Sequence, residues 1–159
     1  MEIRIIKKMF LLAGFEIAMD FNKDFSEEML WIHAELKRSL ERIGNKTDPV
    51  RLVGFWQPWQ AFVQTPNPVN ASKAKYFFGV EIKNIDDLPS DCVVKALPES
   101  EYAVFRETRR GTAPKTEMYR AQGRCPHYEI AGDFEIFDDF DHLGEADACD
   151  VLVPVKLKT

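Results

Sequence analysis

Apolar residues recur at helical spacing over only one long stretch of this chain; elsewhere they mostly follow the shorter rhythm of strands. In Phe25 to Ile43, residues Met29, Ile32, Leu36, Leu40 and Ile43 fall on one helical face. Asp24 or Ser26 supplies a start, and Gly44-Asn45 an end. Before this helix, Ile3 to Met19 reads as one long strand bent near Gly14. After it, Arg51 to Trp56 and Tyr76 to Lys83 read as strands. Between them, Pro58 to Ser72 holds three prolines and two asparagines, which predicts a loop. Ile85 to Ser100 is mixed, with Pro89 and Pro98 limiting any regular element. Glu101 to Thr108 reads as a strand. Pro114 to Gln122 reads as a short helix closed by Gly123. Phe134 to Asp138 and Val151 to Lys158 complete the strands.

The order is thus strand, helix, strand, strand, and then the same again. Phe78 to Lys83 and Leu152 to Leu157 share a texture: apolar, interrupted by Gly or Pro, with charge near the end. Such a duplication predicts an α+β fold. Two strand-helix-strand-strand repeats would form an antiparallel sheet, with helices on one face and a ligand cleft on the other. At 159 residues the chain is expected to be one domain over 1–159.

Composition narrows the partners. A net charge of −5 argues against nucleic acid, because phosphate binding needs a basic face. It is compatible with cationic ligands. Twelve phenylalanines and three tryptophans are enough to fill a core or line a pocket. Cys92, Cys125 and Cys149 lie too far apart for a zinc knuckle or a redox motif. Reduced thiols and a cytoplasmic location are expected. No secretory layout and no apolar run of membrane-spanning length is present.

Within Asp133-Phe134-Glu135-Ile136-Phe137-Asp138, alternate residues share a face. Phe134 and Ile136 point one way, Glu135 and Phe137 the other. If the first pair covers a core, Glu135 stands beside an aromatic ring. A carboxylate among aromatic rings holds an organic cation by charge and by ring quadrupole. The same pattern also describes a solvent-facing strand glutamate.

Four segments carry a resemblance to a known family. They are Leu52-Val53-Gly54-Phe55, Tyr76-Phe77-Phe78-Gly79-Val80-Glu81, Glu101-Tyr102-Ala103-Val104-Phe105, and a closing block. That block joins Tyr128, Phe134-Glu135-Ile136-Phe137 and Val151-Leu152-Val153-Pro154-Val155-Lys156. In this order they resemble the GyrI-like, or AraC effector-binding, domains of multidrug-responsive bacterial regulators and of stand-alone proteins. The resemblance implies a cleft at the junction of the repeats that takes flat, apolar, often cationic molecules. It places Glu135 in that cleft, against the positive charge of the ligand.

Aromatics from both halves are expected to line the cleft: Phe10, Phe15, Trp56, Phe77, Phe105 and Phe137, with Glu81. Phe77 is preferred to Phe78 because it shares a strand face with Glu81. The chain departs from the family at Gly123-Arg124-Cys125-Pro126-His127, where the second helix often ends in a tryptophan-containing segment. The aromatic run Trp56 to Phe62 reads equally as a lid or, for Trp56, as a cap on the core. No segment reads as the helix-turn-helix that the regulators carry.

Other chemistry is sparse. His33, His127 and His142 lack metal-helix spacing, so no metal ligand and no cofactor is expected. The acidic run Asp138 to Asp147 lacks calcium-loop spacing, and Arg106, Arg109 and Arg110 read as exposed charge. The leading function is binding of an amphipathic cation, as a sensor or a sequestering protein. A hydrolase on the same scaffold is the alternative, with Glu135 as base and Glu81 or Glu107 as second acid group. A protein-interaction role, such as inhibition of gyrase or of a regulator, is a third reading. A protein partner or a homodimer fits any of them.

Overall fold

The first strand carries much of the architecture. The computed structural model describes residues 4–20, 22–57, 73–106, 124–126, 134–137, 140 and 149–157. Within them β1 runs over Arg4–Asp20, 17 residues of uninterrupted strand. It is followed by α1 (Ser26–Ser39), β2 (Leu52–Gln57), β3 (Lys73–Glu81) and β4 (Val93–Arg106). Then come β5 (Arg124–Pro126), β6 (Phe134–Phe137) and β7 (Cys149–Leu157). The expected helix at 114–122 and loop at 58–72 lie outside the described residues.

Two partners share β1. Its first part, from Arg4 to Gly14, pairs with β4, and its second, from Leu12 to Asp20, pairs with β3. Gly14 stands where the two ladders overlap, opposite Gly79. A Cβ on Gly14 would overlap the Phe78 carbonyl oxygen and the Gly79 Cα. Only a residue without a side chain lets the backbones approach so closely.

All the pairings are antiparallel, and they close on themselves. The order is β4-β1-β3-β2-β6-β7, with β7 returning to β4, while β5 adds to β7 from outside the ring. The two halves repeat one pattern. In the first, β1 pairs with β3 and β3 with β2; in the second, β4 pairs with β7 and β7 with β6. The β1–β4 and β2–β6 ladders join them.

Pro98 sits inside β4, which begins earlier than proline content suggested. The β1–β4 register shifts between Lys8 and Phe10, opposite the segment that holds Pro98. A bulge there spares the ladder hydrogen bond that proline cannot donate.

α1 lies across β1 and β3. It buries Ile32 and Leu36, and beyond a short 3-10 turn (Leu40–Arg42) it ends at the buried Ile43. Asp24 opens it by accepting hydrogen bonds from the Ser26 backbone N–H at 2.9 Å and the Ser26 hydroxyl at 2.5 Å. These bonds hold the Asp24 carboxyl below the usual carboxylate range. At the other end the Lys46 ammonium donates to the Leu40 and Ile43 carbonyls, at 3.0 and 2.5 Å. The sheet is thus apolar on both faces. One core packs under α1, around Ala13, Phe15, Leu52, Phe78 and Val80. The other holds Phe10, Phe55, Phe77, Tyr102 and Phe134.

Candidate functional site

Strand parity in β6 decides which face each residue serves. Phe134 and Ile136 belong to the core away from α1, and Phe137 to the core beneath it. Glu135 has the parity of Phe137 and therefore stands on the α1 face, half-buried. Its register partners are Gly54 on β2 and Val151 on β7. Gly54 has no side chain of its own, and a Cβ added there would overlap the Tyr76 hydroxyl. The Tyr76 phenol thus lies over Gly54, beside the strand position of Glu135.

Around this point the α1 face is a wall of rings. Trp56 and Tyr76 have centroids 4.8 Å apart, and Phe25 meets Trp56 edge-on at 6.0 Å. Tyr76 and Phe78 lie nearly parallel at 6.4 Å. Phe78 in turn meets Phe137 at 6.4 Å and Phe140 at 6.3 Å. His33 of α1 sits 4.7 Å from the Phe78 ring. Burial lowers the His33 pKa, so its imidazole is neutral at neutral pH and adds no positive charge to this wall. The result is a carboxylate on a face of aromatic rings, with Trp56 only partly covered.

The opposite face carries a packed aromatic core. Phe10 stacks on Phe134 at 4.6 Å, and Tyr102 meets both edge-on at 5.6 and 5.5 Å. Phe55 packs against Phe134 at 4.7 Å and Phe77 at 5.2 Å. All five rings are at most 1% exposed. The Tyr102 hydroxyl is buried without a hydrogen-bond partner among the described residues, and burial pushes its pKa up to about 12. Beside this core Glu81 meets the Lys8 ammonium at 3.0 Å.

The residues singled out from sequence therefore divide. Glu135, Phe137, Phe15 and Trp56 serve the α1 face, not the helix-free face on which the cleft was expected. Phe10 and Phe77 lie in the core on the other face, and Glu81 shares the parity of Phe77. Glu81 and Glu135 thus point to opposite sides of the sheet. Phe105 lies in β4, opposite Val151 in the register with β7. Glu107, Trp59, Tyr128, His127 and His142 lie outside the described residues. Gly54, Tyr76 and Phe78 are additions from the structure. The signal for them was present: a glycine inside an apolar strand often marks a close approach. Among the described residues no group of three or more His, Cys, Asp or Glu is placed to hold a metal ion.

No family model and no curated protein sequence matches the chain. Solved structures do. One is SAV2435 bound to tetraphenylphosphonium, with a TM-score of 0.61 and 19% identity over 98% of this chain and 94% of that one. A second is the EcmrR C-terminal domain, with a TM-score of 0.60 and 10% identity over 100% of both chains. A third is a bacterial transcription regulation protein from Staphylococcus aureus MU50, with a TM-score of 0.56 and 18% identity over 98% and 99%. The fold is that of a GyrI-like effector-binding domain. Among the described residues no helix is long and apolar enough to cross a membrane.

Proposed function

We propose that this protein binds an apolar organic cation on the α1 face, with Glu135 as its counter-charge. The observation that carries this reading is the position of Glu135. It is half-buried, directly opposite Gly54, on the face that holds Trp56, Tyr76, Phe78 and Phe137. Rings stabilise a delocalised cation through their quadrupoles, and a partly desolvated carboxylate adds a charge contact stronger than it would be in water. That a protein of this fold, SAV2435, has been seen bound to tetraphenylphosphonium supports the ligand class. The role would be that of a sensor or a sequestering protein in the cytoplasm.

The test is titration of Glu135→Gln and the parent protein with two dyes of similar shape, one cationic and one neutral. The cationic dye is expected to lose on the order of 1–3 kcal/mol of binding energy, roughly fivefold to a hundredfold or more in affinity. The neutral dye should lose much less. Equal weakening of both dyes, or of neither, removes charge recognition from the account.

A further inference from the structure

A cavity of about 220 Å³ opens on the face of the sheet opposite Glu135. Its walls are Ile6, Val104, Ile136 and Leu152. Ile136 and Leu152 are buried there, at 7% and 2% exposure. Charged groups gather on the same lining: Arg4, Lys8 and Arg51 against Glu81 and Asp150. The cations exceed the carboxylates here, in a chain whose net charge is −5.

The charges are not equivalent. Glu81 is charge-paired: the Lys8 ammonium lies 3.0 Å from Oε1 and donates a hydrogen bond to Oε2 at 3.2 Å, while Oε1 accepts no hydrogen bond among the described residues. Asp150 is engaged in an interaction of its own. Arg4 and Arg51 make no ion pair among the described residues, and both stand exposed at the edge of the cavity. The cavity thus has an apolar wall, an internally neutralised Lys8–Glu81 pair, and two guanidinium groups available to an anion. A guanidinium presents its donors in a fork that fits a carboxylate.

We propose that this cavity is a second ligand site, separate from the Glu135 face, for a small carboxylate with a short apolar tail. The carboxylate meets Arg4 and Arg51, and the tail lies along Ile6, Val104, Ile136 and Leu152. The volume, about 220 Å³, has room for one such molecule. The site lies across the sheet from the aromatic wall and selects the opposite charge.

Hexanoate and hexylammonium are the probes, and the Ile6 and Ile136 methyl NMR signals of the full chain are the readout. Hexanoate is expected to shift both signals saturably, and hexylammonium to leave them in place. In the double variant Arg4→Ala/Arg51→Ala the hexanoate affinity should fall roughly tenfold, because two exposed charge contacts are lost. Both arginines are exposed, and unchanged methyl spectra of the unliganded variant confirm that it is folded. Raising the salt concentration should weaken hexanoate in the parent more than in the variant. Glu135→Gln should bind hexanoate as the parent does, so this site and the cation site fail or stand separately. Equal shifts with hexylammonium, no saturable shift with hexanoate, or unchanged affinity in the arginine variant would each overturn the proposal.

Discussion

Glu135 and Ile136 are neighbours in sequence, yet they serve opposite faces of β6, one toward a wall of rings and the other toward a cavity. The space for Glu135 depends on Gly54. Substituting Gly54→Ala puts a methyl group into the Tyr76 hydroxyl, which is buried and must move. Overpacking of this kind is expected to cost about 1–3 kcal/mol and to weaken cationic dyes as Tyr76 is displaced. Adding Tyr76→Phe removes the overlapping oxygen, so the double variant should be less destabilised than the two single effects combined. Strict additivity in denaturant titrations would show that the two residues do not meet. On the other face the Tyr102 hydroxyl is a buried donor with no acceptor among the described residues. Tyr102→Phe keeps the ring contacts with Phe10 and Phe134 and is expected to be neutral or stabilising by about 1 kcal/mol. Its pH signature is specific. The folded-state pKa of about 12 lies above the ordinary value of 10.0, so the folded state holds its proton longer. The parent keeps this contribution below pH 10 and loses it as pH rises toward 12, by up to about 2–3 kcal/mol. The variant should lack that component. Identical alkaline loss in both proteins would place the titrating group elsewhere.

At the scale of elements, periodicity was a good guide to existence and a poor one to faces. The helix was legible because Ile32, Leu36 and Ile43 recur at one spacing and all meet the sheet. The long first strand was legible too, although its register shift against β4 falls between Lys8 and Phe10 and not at Gly14. β5 was not, since Arg124–Pro126 is short, ends in proline and shows no alternation. The early start of β4 was hidden by Pro98, which a bulge accommodates. Face assignment failed for a different reason. Alternation fixes which residues of one strand share a side, but only cross-strand register shows that Phe78, rather than Phe77, lies on the side of Glu135. Register depends on contacts distant in sequence, such as Gly54 with Glu135. The β1–β3 crossing yields the next prediction. Gly14→Ala sets a methyl group against backbone of the opposing strand, which cannot swing aside as a side chain can. The cost should exceed that of an exposed strand glycine, at about 3 kcal/mol or more. A thermal midpoint within a few degrees of the parent would mean that the strands separate at little cost there.

The whole molecule closes its sheet through β4, which pairs with both β1 and β7. This closure was not legible, because a single stretch of sequence does not reveal that it has two partners. It has a consequence for folding. Each half resembles a complete unit in its internal pairing, yet separating the halves exposes the edges of β1 and β2 on one side and of β4 and β6 on the other. Both sheet cores also take residues from each half: Phe10 packs on Phe134, and Phe78 meets Phe137. A half that unfolded alone would leave unpaired backbone and open aromatic surface on its partner. We therefore expect the chain to unfold as one cooperative unit. The distribution of tryptophans makes this measurable. Trp31, Trp56 and Trp59 all lie in the first half, so indole fluorescence reports on it. Hydrogen exchange in β6 and β7 reports on the second. The expected outcome is one denaturant midpoint for both probes, with exchange in β6 and β7 limited by the same opening that exposes the tryptophans. If β6 and β7 exchange through an opening that leaves the fluorescence native, the halves are separate folding units, and the ladders between them hold less tightly than the ladders within.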